Sequence, residues 1–311
     1  MERVLDSTRV NPVNSCFMKR LLPVCAFLLC LIGCSKDAGP RLIAITIDDA
    51  PVTKPLSYSD NWERTVVTDS LTGALVRHGA PATVFAIGSD LESADLAMLV
   101  RNWTAADFLM ANHSMSHLSF NQLTRESGVL EIGQAQAVLS RVAPADQRSR
   151  YFRFPFLEEG SSLNDRAFWY GVLDSMALVA APVTITTDDW RFDNDYAEAE
   201  KAKDWDRRYR IGQEYVAHVR ESIRHWDDLG GQLYGRNVRH ILMLHANRIN
   251  RDYLGVILDG LAEDGFAFIS LPTALQDELY SETISWIGPS GVSILESIKQ
   301  SRLAAGTFSA R

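Results

Sequence analysis

Two adjacent carboxylates, Asp48 and Asp49, close an apolar run over residues 42–47, and three imidazoles, His113, His117 and His245, stand far along the chain to answer them. Such a set can bind a divalent cation and still supply a proton acceptor and a proton donor. His113 and His117 are four residues apart, so a helical turn between them would bring both rings to one side. That pair alone is a weak signal, because paired histidines recur by chance. The order of the surrounding motifs is stronger: Thr46-Ile47-Asp48-Asp49-Ala50-Pro51, Asn112-His113-Ser114-Met115-Ser116-His117, Arg153-Phe154-Pro155-Phe156, Asp188-Asp189-Trp190 and Leu242-Met243-Leu244-His245. Singly, Arg153 would read as a surface ion pair, Asp189 as a cap, Trp190 and Leu244 as core, and His245 as a satisfied buried histidine. Together they describe a hydrolytic pocket. Successive strand residues point to opposite faces, so Asp48 and Asp49 can share a pocket only if the strand breaks there. Pro51 supplies the reason for a break.

The elements that must hold these groups alternate. Strand patterns cover residues 41–47, 82–87, 108–112, 151–154, 178–185, 240–244 and 266–269. Helical patterns lie between them, at 93–103, 129–142, 164–176 and 253–264. A further helix begins near Asp60, with Asp60 and Glu63 as a reciprocal cap, and keeps its spacing through Val66, Val67, Leu71 and Leu75 until Gly79 and Pro81 stop it. This alternation predicts an α/β fold, a distorted or incomplete (β/α) barrel of about seven parallel strands. Each motif then falls at a strand's C-terminal end. A doubly wound open sheet is the competing architecture, but it would gather the motifs at one switch point rather than spread them. Residues 196–229 depart from the rhythm. They are charged and helical, with Trp205, Tyr209, Val216, Val219, Ile223 and Trp226 as an apolar stripe, expected to pack and to lie as a lid beside the pocket. Beyond Tyr280 only 284–287 suggests a short strand.

The chain starts with a segment of a different kind. Met18-Lys19-Arg20 leads into an apolar run over residues 21–32 that ends Leu31-Ile32-Gly33-Cys34, reading as a lipoprotein signal cleaved before Cys34, with lipid on its sulfur. Residues 1–17 read as an upstream extension and 35–40 as a tether. The four cysteines, Cys16, Cys25, Cys30 and Cys34, all lie in or next to this leader, so any metal in the body must be bound by His and carboxylate. The net charge is −8, and cleavage removes Arg3, Arg9, Lys19 and Arg20 against only Glu2 and Asp6. Such a surface excludes nucleic acid as a partner.

On its five motifs the chain resembles the polysaccharide deacetylases, carbohydrate esterase family four, whose shared unit is the NodB homology domain. The resemblance covers roughly residues 41–275. It implies a divalent metal on Asp49, His113 and His117, zinc by default with cobalt, nickel or manganese admitted. It implies Asp48 as the base that takes a proton from the attacking water, His245 as the acid, Asp189 as the carboxylate that keeps His245 charged and oriented, and Arg153 as the partner of the base. The Phe156 backbone amide would stabilise the oxyanion, while Trp190 and Leu244 would wall the acetyl methyl. The sequence departs from the family pattern in Ala50-Pro51 where glycine usually follows the aspartates, in Phe156 where tyrosine is common, and in Thr186 where an earlier aspartate is usual.

The expected organisation is therefore a leader over 1–33 (signal 18–33), a tether over 34–40, a deacetylase domain over 41–280 with a helical insertion at 192–239, and an extension over 281–311. The expected function is metal-dependent removal of N-acetyl groups from amino-sugar glycans, peptidoglycan or chitin-like, by an enzyme anchored through lipid to the outer membrane and facing the periplasm. Ser35 after the lipidated cysteine favours that destination. Two alternatives stand beside it: an O-acetyl esterase acting on acetylated polysaccharide such as xylan, and a glycan-binding lipoprotein without catalysis.

Overall fold

The computed structural model describes residues 39–53 and 61–308; the leader, Cys34, most of the tether and the expected cap residue Asp60 lie outside them. Within that range seven strands and ten α-helices alternate. They run β1 (Arg41–Ala50), α1 (Asn61–Arg77), β2 (Ala82–Ala86), α2 (Gly88–Leu91), α3 (Ala94–Ala105), β3 (Leu109–Asn112), α4 (Arg125–Val142), β4 (Arg148–Phe152), α5 (Leu163–Ser175) and β5 (Val179–Ala180). The second half holds α6 (Asp189–Lys201), α7 (Trp205–Tyr234), β6 (Arg239–His245), α8 (Arg248–Glu263), β7 (Phe266–Ile269), α9 (Leu271–Ala274) and α10 (Ile294–Ala304).

All strand pairings are parallel, in the order β5-β4-β3-β2-β1-β6, with β7 beside the first residues of β1. The expected strand over 178–185 is cut to Val179–Ala180, because the chain there leaves β4 and crosses to the far side of β6. Thr184 and Ile185 donate to the Ile241 carbonyl and Met243 donates back to Ile185, closing the ring with one bridge instead of a ladder. This is a distorted barrel of parallel strands, not an open doubly wound sheet.

Alternation along β1 decides which residues meet the site. Ile43, Ile45 and Ile47 face outward into the main core, packed with Val67 and Leu71 of α1 and Leu254 and Leu258 of α8. Ala44 belongs instead to the inner cluster with Phe85, Ala111, Tyr151 and Ile241. Thr46 and Asp48 continue that inner row. Helix starts follow local chemistry: Thr124, Ser162 and Asn247 each accept a backbone N–H three residues on, opening α4, α5 and α8.

The insertion helix α7 buries Val219 and Ile223 and half-buries Val216 and Trp226 of the expected stripe, and departs from it at Trp205 and Tyr209. Gly212, Tyr215, Val219 and Ile223 are the buried row, whereas Trp205 and Tyr209 are 57% and 62% exposed. Gly212 allows close approach to α8, since a Cβ there would lie 2.1 Å from the Tyr253 ring. This row beds α7 against the main core. The expected strand at 284–287 does not form; that segment has no ladder partner and leads into α10, which the weak pattern beyond Tyr280 concealed. Ser293 starts α10 and ties it to the barrel, donating to the Thr184 carbonyl at 2.8 Å while the Ile294 amide donates to Val183. Just before it, Gly291 lies so close to the Phe156 carbonyl that a Cβ would stand 1.7 Å from that oxygen.

Candidate metal centre and active site

Asp48 is buried at the end of the inner row, paired in register with His245 of β6. Asp49 would face outward if β1 continued regularly. Instead the pairing with β2 shifts between Ile47 and Ala50 and Asp49 takes a left-handed φ of 57°, so both carboxylates reach one side. Arg153, at the end of β4 and 1% exposed, donates from Nη1 to Asp48 Oδ1 at 2.6 Å and to Thr46 Oγ1 at 2.7 Å. Its Nε donates to the Ala181 carbonyl at 3.0 Å and its guanidinium lies 4.1 Å from the centre of the Phe85 ring. The pair is held by its mutual contact, Thr46 and one backbone carbonyl, while Arg153 Nη2 is buried with no hydrogen-bond partner among the described residues.

The two histidines are not on a helical turn. They sit on an irregular loop after β3, shaped by Asn112, whose side-chain oxygen accepts the Ser114 amide and whose nitrogen donates to the Ile132 carbonyl. Left-handed φ values at Ser114 (64°) and His117 (55°) turn the rings to 4.9 Å between centroids, a convergence that helical spacing would have given by another route.

His113 Nδ1 lies 2.9 Å from the Arg153 carbonyl, which can only accept, so the proton is on Nδ1 and the Nε2 lone pair faces inward. There it meets Asp49 Oδ1 at 3.5 Å, with His117 Nε2 at 3.3 Å from the same oxygen. That oxygen is buried and has no hydrogen-bond partner among the described residues. Burial, with the neighbouring His113, pushes His117 down to about 4, so it is neutral near pH 7. Burial would raise the Asp49 carboxyl, but the His113, His245 and His117 imidazoles outweigh it and hold the group well below the usual carboxylate range. The three ligand atoms lie within 4.8 Å of one another. One ionised carboxylate oxygen and two inward-facing imidazole nitrogens fit a divalent metal; mixed N/O ligation suits zinc and admits cobalt, nickel or manganese.

His245 stands on the other flank. Its Nδ1 is 2.6 Å from Asp189 Oδ1 and its backbone amide donates to Asp189 Oδ2 at 2.7 Å. Burial opposes charging the ring, but Asp189 more than offsets it and raises His245 to about 10. Asp189 is itself the first residue of α6, turned into place by the left-handed Asp188. Its Oδ2 also accepts from Asn250 Nδ2 at 2.6 Å, and Asn250 Oδ1 accepts from Tyr215 of α7 at 2.6 Å.

Phe156 sits at a left-handed φ of 57°, its half-exposed ring 4.5 Å from His117. The two amides that follow it are taken up by the Phe154 and Pro155 carbonyls. Trp190 is 57% exposed beside Asp189, whereas Leu244 has no exposed surface and packs in the main core with Ile45 and Ile47. Sequence reasoning missed Thr46, Asn250 and Tyr215. Thr46 carried a readable signal, as a polar residue on the inner row two before Asp48; the other two carried none. His78 and His240 are engaged away from the site by Asp259 and Asp227, and His218 faces Asp188 at 3.5 Å.

A family model described as Polysaccharide deacetylase matches residues 35–172. No curated protein matches the chain. Among solved structures, a family-four carbohydrate esterase pseudoenzyme from Bacillus anthracis is 14% identical, with a TM-score of 0.54 over 77% of this chain and 66% of that one. The Bc1960 peptidoglycan N-acetylglucosamine deacetylase is 16% identical, with a TM-score of 0.52 over 77% of this chain and 89% of that one. A family 4 carbohydrate esterase from Streptomyces lividans, solved with acetate, is 20% identical, with a TM-score of 0.50 over 75% and 95%.

Proposed function

We propose that the chain is a polysaccharide deacetylase, a reading supported by the family model that matches residues 35–172, and that it hydrolyses N-acetyl groups from amino-sugar glycans of the cell envelope, peptidoglycan or chitin-like. The observation that carries this reading is the convergence of Asp49, His113 and His117 on one point, with Asp48 and His245 beside it. Held by those three residues, a divalent metal would polarise the acetyl carbonyl and acidify the attacking water. Arg153 pins Asp48 Oδ1 and leaves Oδ2, 4.0 Å from His113 Nε2, to accept the water proton. The new C–O bond forms as Asp48 takes that proton, and negative charge gathers on the carbonyl oxygen near the Phe156 turn. The amine must leave protonated. Asp189 holds His245 Nδ1, so Nε2 faces the leaving nitrogen and donates as the C–N bond breaks. Acetate and the free amine result, and solvent returns the proton from Asp48 to His245. Trp190 offers an exposed aromatic face to the sugar.

Acetate release by the purified protein from a panel of N-acetylglucosamine oligomers, peptidoglycan and acetylated xylan tests this reading. Release from the amides supports it, whereas release from xylan esters alone selects the O-acetyl esterase. The likeness to a fold relative named a pseudoenzyme favours a second reading, a glycan binder without turnover. A binder has no use for base and acid together, and sub-stoichiometric metal under replete conditions would turn the balance towards it. Anchoring through lipid on Cys34, in the outer membrane and facing the periplasm, is part of the proposal and rests on the sequence of the leader. The Cys34→Ala protein is expected in the soluble fraction; its recovery in membranes at wild-type levels refutes the anchor.

A further inference from the structure

The acid His245 is oriented by Asp189, but a carboxylate with only that partner could rotate about its own bond. Both of its oxygens are in fact assigned. Oδ1 takes the imidazole at 2.6 Å, while Oδ2 takes the His245 amide at 2.7 Å and the Asn250 side-chain nitrogen at 2.6 Å. Asn250 Nδ2 also donates to the His245 carbonyl at 2.9 Å, so one amide clasps the acid's backbone and its carboxylate together. An amide can present either end. Tyr215, wholly buried, donates its hydroxyl to Asn250 Oδ1 at 2.6 Å and so fixes the nitrogen toward Asp189.

We infer that Asn250 and Tyr215 are positioning residues for the proton-donating step, and that the insertion over 192–239 serves catalysis through the α7 hydroxyl that locks Asn250 against Asp189. The inference rests on the proposed role of His245 as acid. Tyr215 lies 35 residues before Asn250 and on a helix that the chemistry does not otherwise use, yet its hydroxyl joins a chain of short hydrogen bonds running Tyr215–Asn250–Asp189–His245. Such a chain places the imidazole within the tolerance that proton transfer requires.

The test uses the full metal-loaded protein. Asn250→Ala is expected to lower kcat for N-acetyl hydrolysis roughly tenfold to a hundredfold, and Tyr215→Phe about threefold to tenfold, with KM within about twofold and metal content unchanged. In an Asp189→Asn background the Asn250→Ala loss should shrink to less than about twofold, because the carboxylate it orients is gone. A full-size loss there, a loss of bound metal, or an undiminished kcat overturns the inference. A second readout is independent of turnover. The His245 Nδ1 proton, in a 2.6 Å hydrogen bond, should give a downfield proton resonance that moves upfield in Asn250→Ala and in Tyr215→Phe. If the wild-type protein releases no acetate, the functional reading fails while this resonance still decides the positioning; an unmoved resonance in both variants overturns it.

Discussion

A buried carboxylate oxygen that faces two imidazole nitrogens with no donor between them costs free energy unless a cation sits among the three. Asp49, His113 and His117 make that arrangement. Zinc at about a hundredfold over its Kd should therefore stabilise the metal-free protein by about 2.7 kcal/mol, a rise of several degrees in Tm. Asp49→Ala should abolish that rise together with acetate release; thermal melts with and without zinc check it, and an unchanged rise in the variant rules out Asp49 as a ligand. His245 gives a pH prediction. Its pKa is raised to about 10 by Asp189 against the opposing effect of burial, and the acid works only while protonated. Removing the carboxylate charge with Asp189→Asn lowers that pKa, so the alkaline limb of kcat should move to lower pH by a unit or more; a pH–rate profile decides it. The groups proposed to do chemistry could be picked from the sequence because few residue types can do it and their order was distinctive. The groups that aim them were not: an asparagine and a tyrosine acquire meaning only from a partner brought near by folding.

At the scale of elements, α8 begins where the site ends, and Asp193 of α6 accepts the Ile249 amide at 2.8 Å at its start. Burial, with the nearby Asp189 charge, raises Asp193 to about 6. Its folded value thus lies above the unfolded value near 4, so its contribution is fully present below about pH 4 and is lost as pH rises through about 6. Asp193→Asn keeps an acceptor without the charge and should gain on the order of 2–3 kcal/mol over wild type between pH 4 and pH 7, measured by denaturant unfolding at both. Gly212→Ala drives a methyl into Tyr253 and should cost about 1–3 kcal/mol. The strands β1, β6 and β7 were readable within three residues, because burial on both faces makes continuous apolar runs. The second half of the expected strand at 178–185 was not, since Pro182 and the crossing to β6 leave its apolar residues buried without a ladder. In α7 aromatic residues at helical spacing misled, since Trp205 and Tyr209 precede the part that meets the core.

Across the whole molecule, the barrel is completed by parts remote from the motifs. The last helix packs Leu295 and Ile298 with Leu229 and Leu233 of α7, and Arg302 grips Glu282 through two hydrogen bonds. Leu295→Ala is expected to cost about 2–5 kcal/mol, read as a shift in the denaturant midpoint at constant slope. The same segment brings Gly291 against the Phe156 carbonyl, well beyond the stretch that the family model matches. Synthesis runs from the N-terminus, so a growing chain that has passed residue 245 already holds every group assigned to the reaction. It still lacks the segment that packs against Phe156, the turn proposed to stabilise negative charge. On the proposed function, competence to hydrolyse would therefore come late in the life of the nascent chain, after its final helix has been made and has docked.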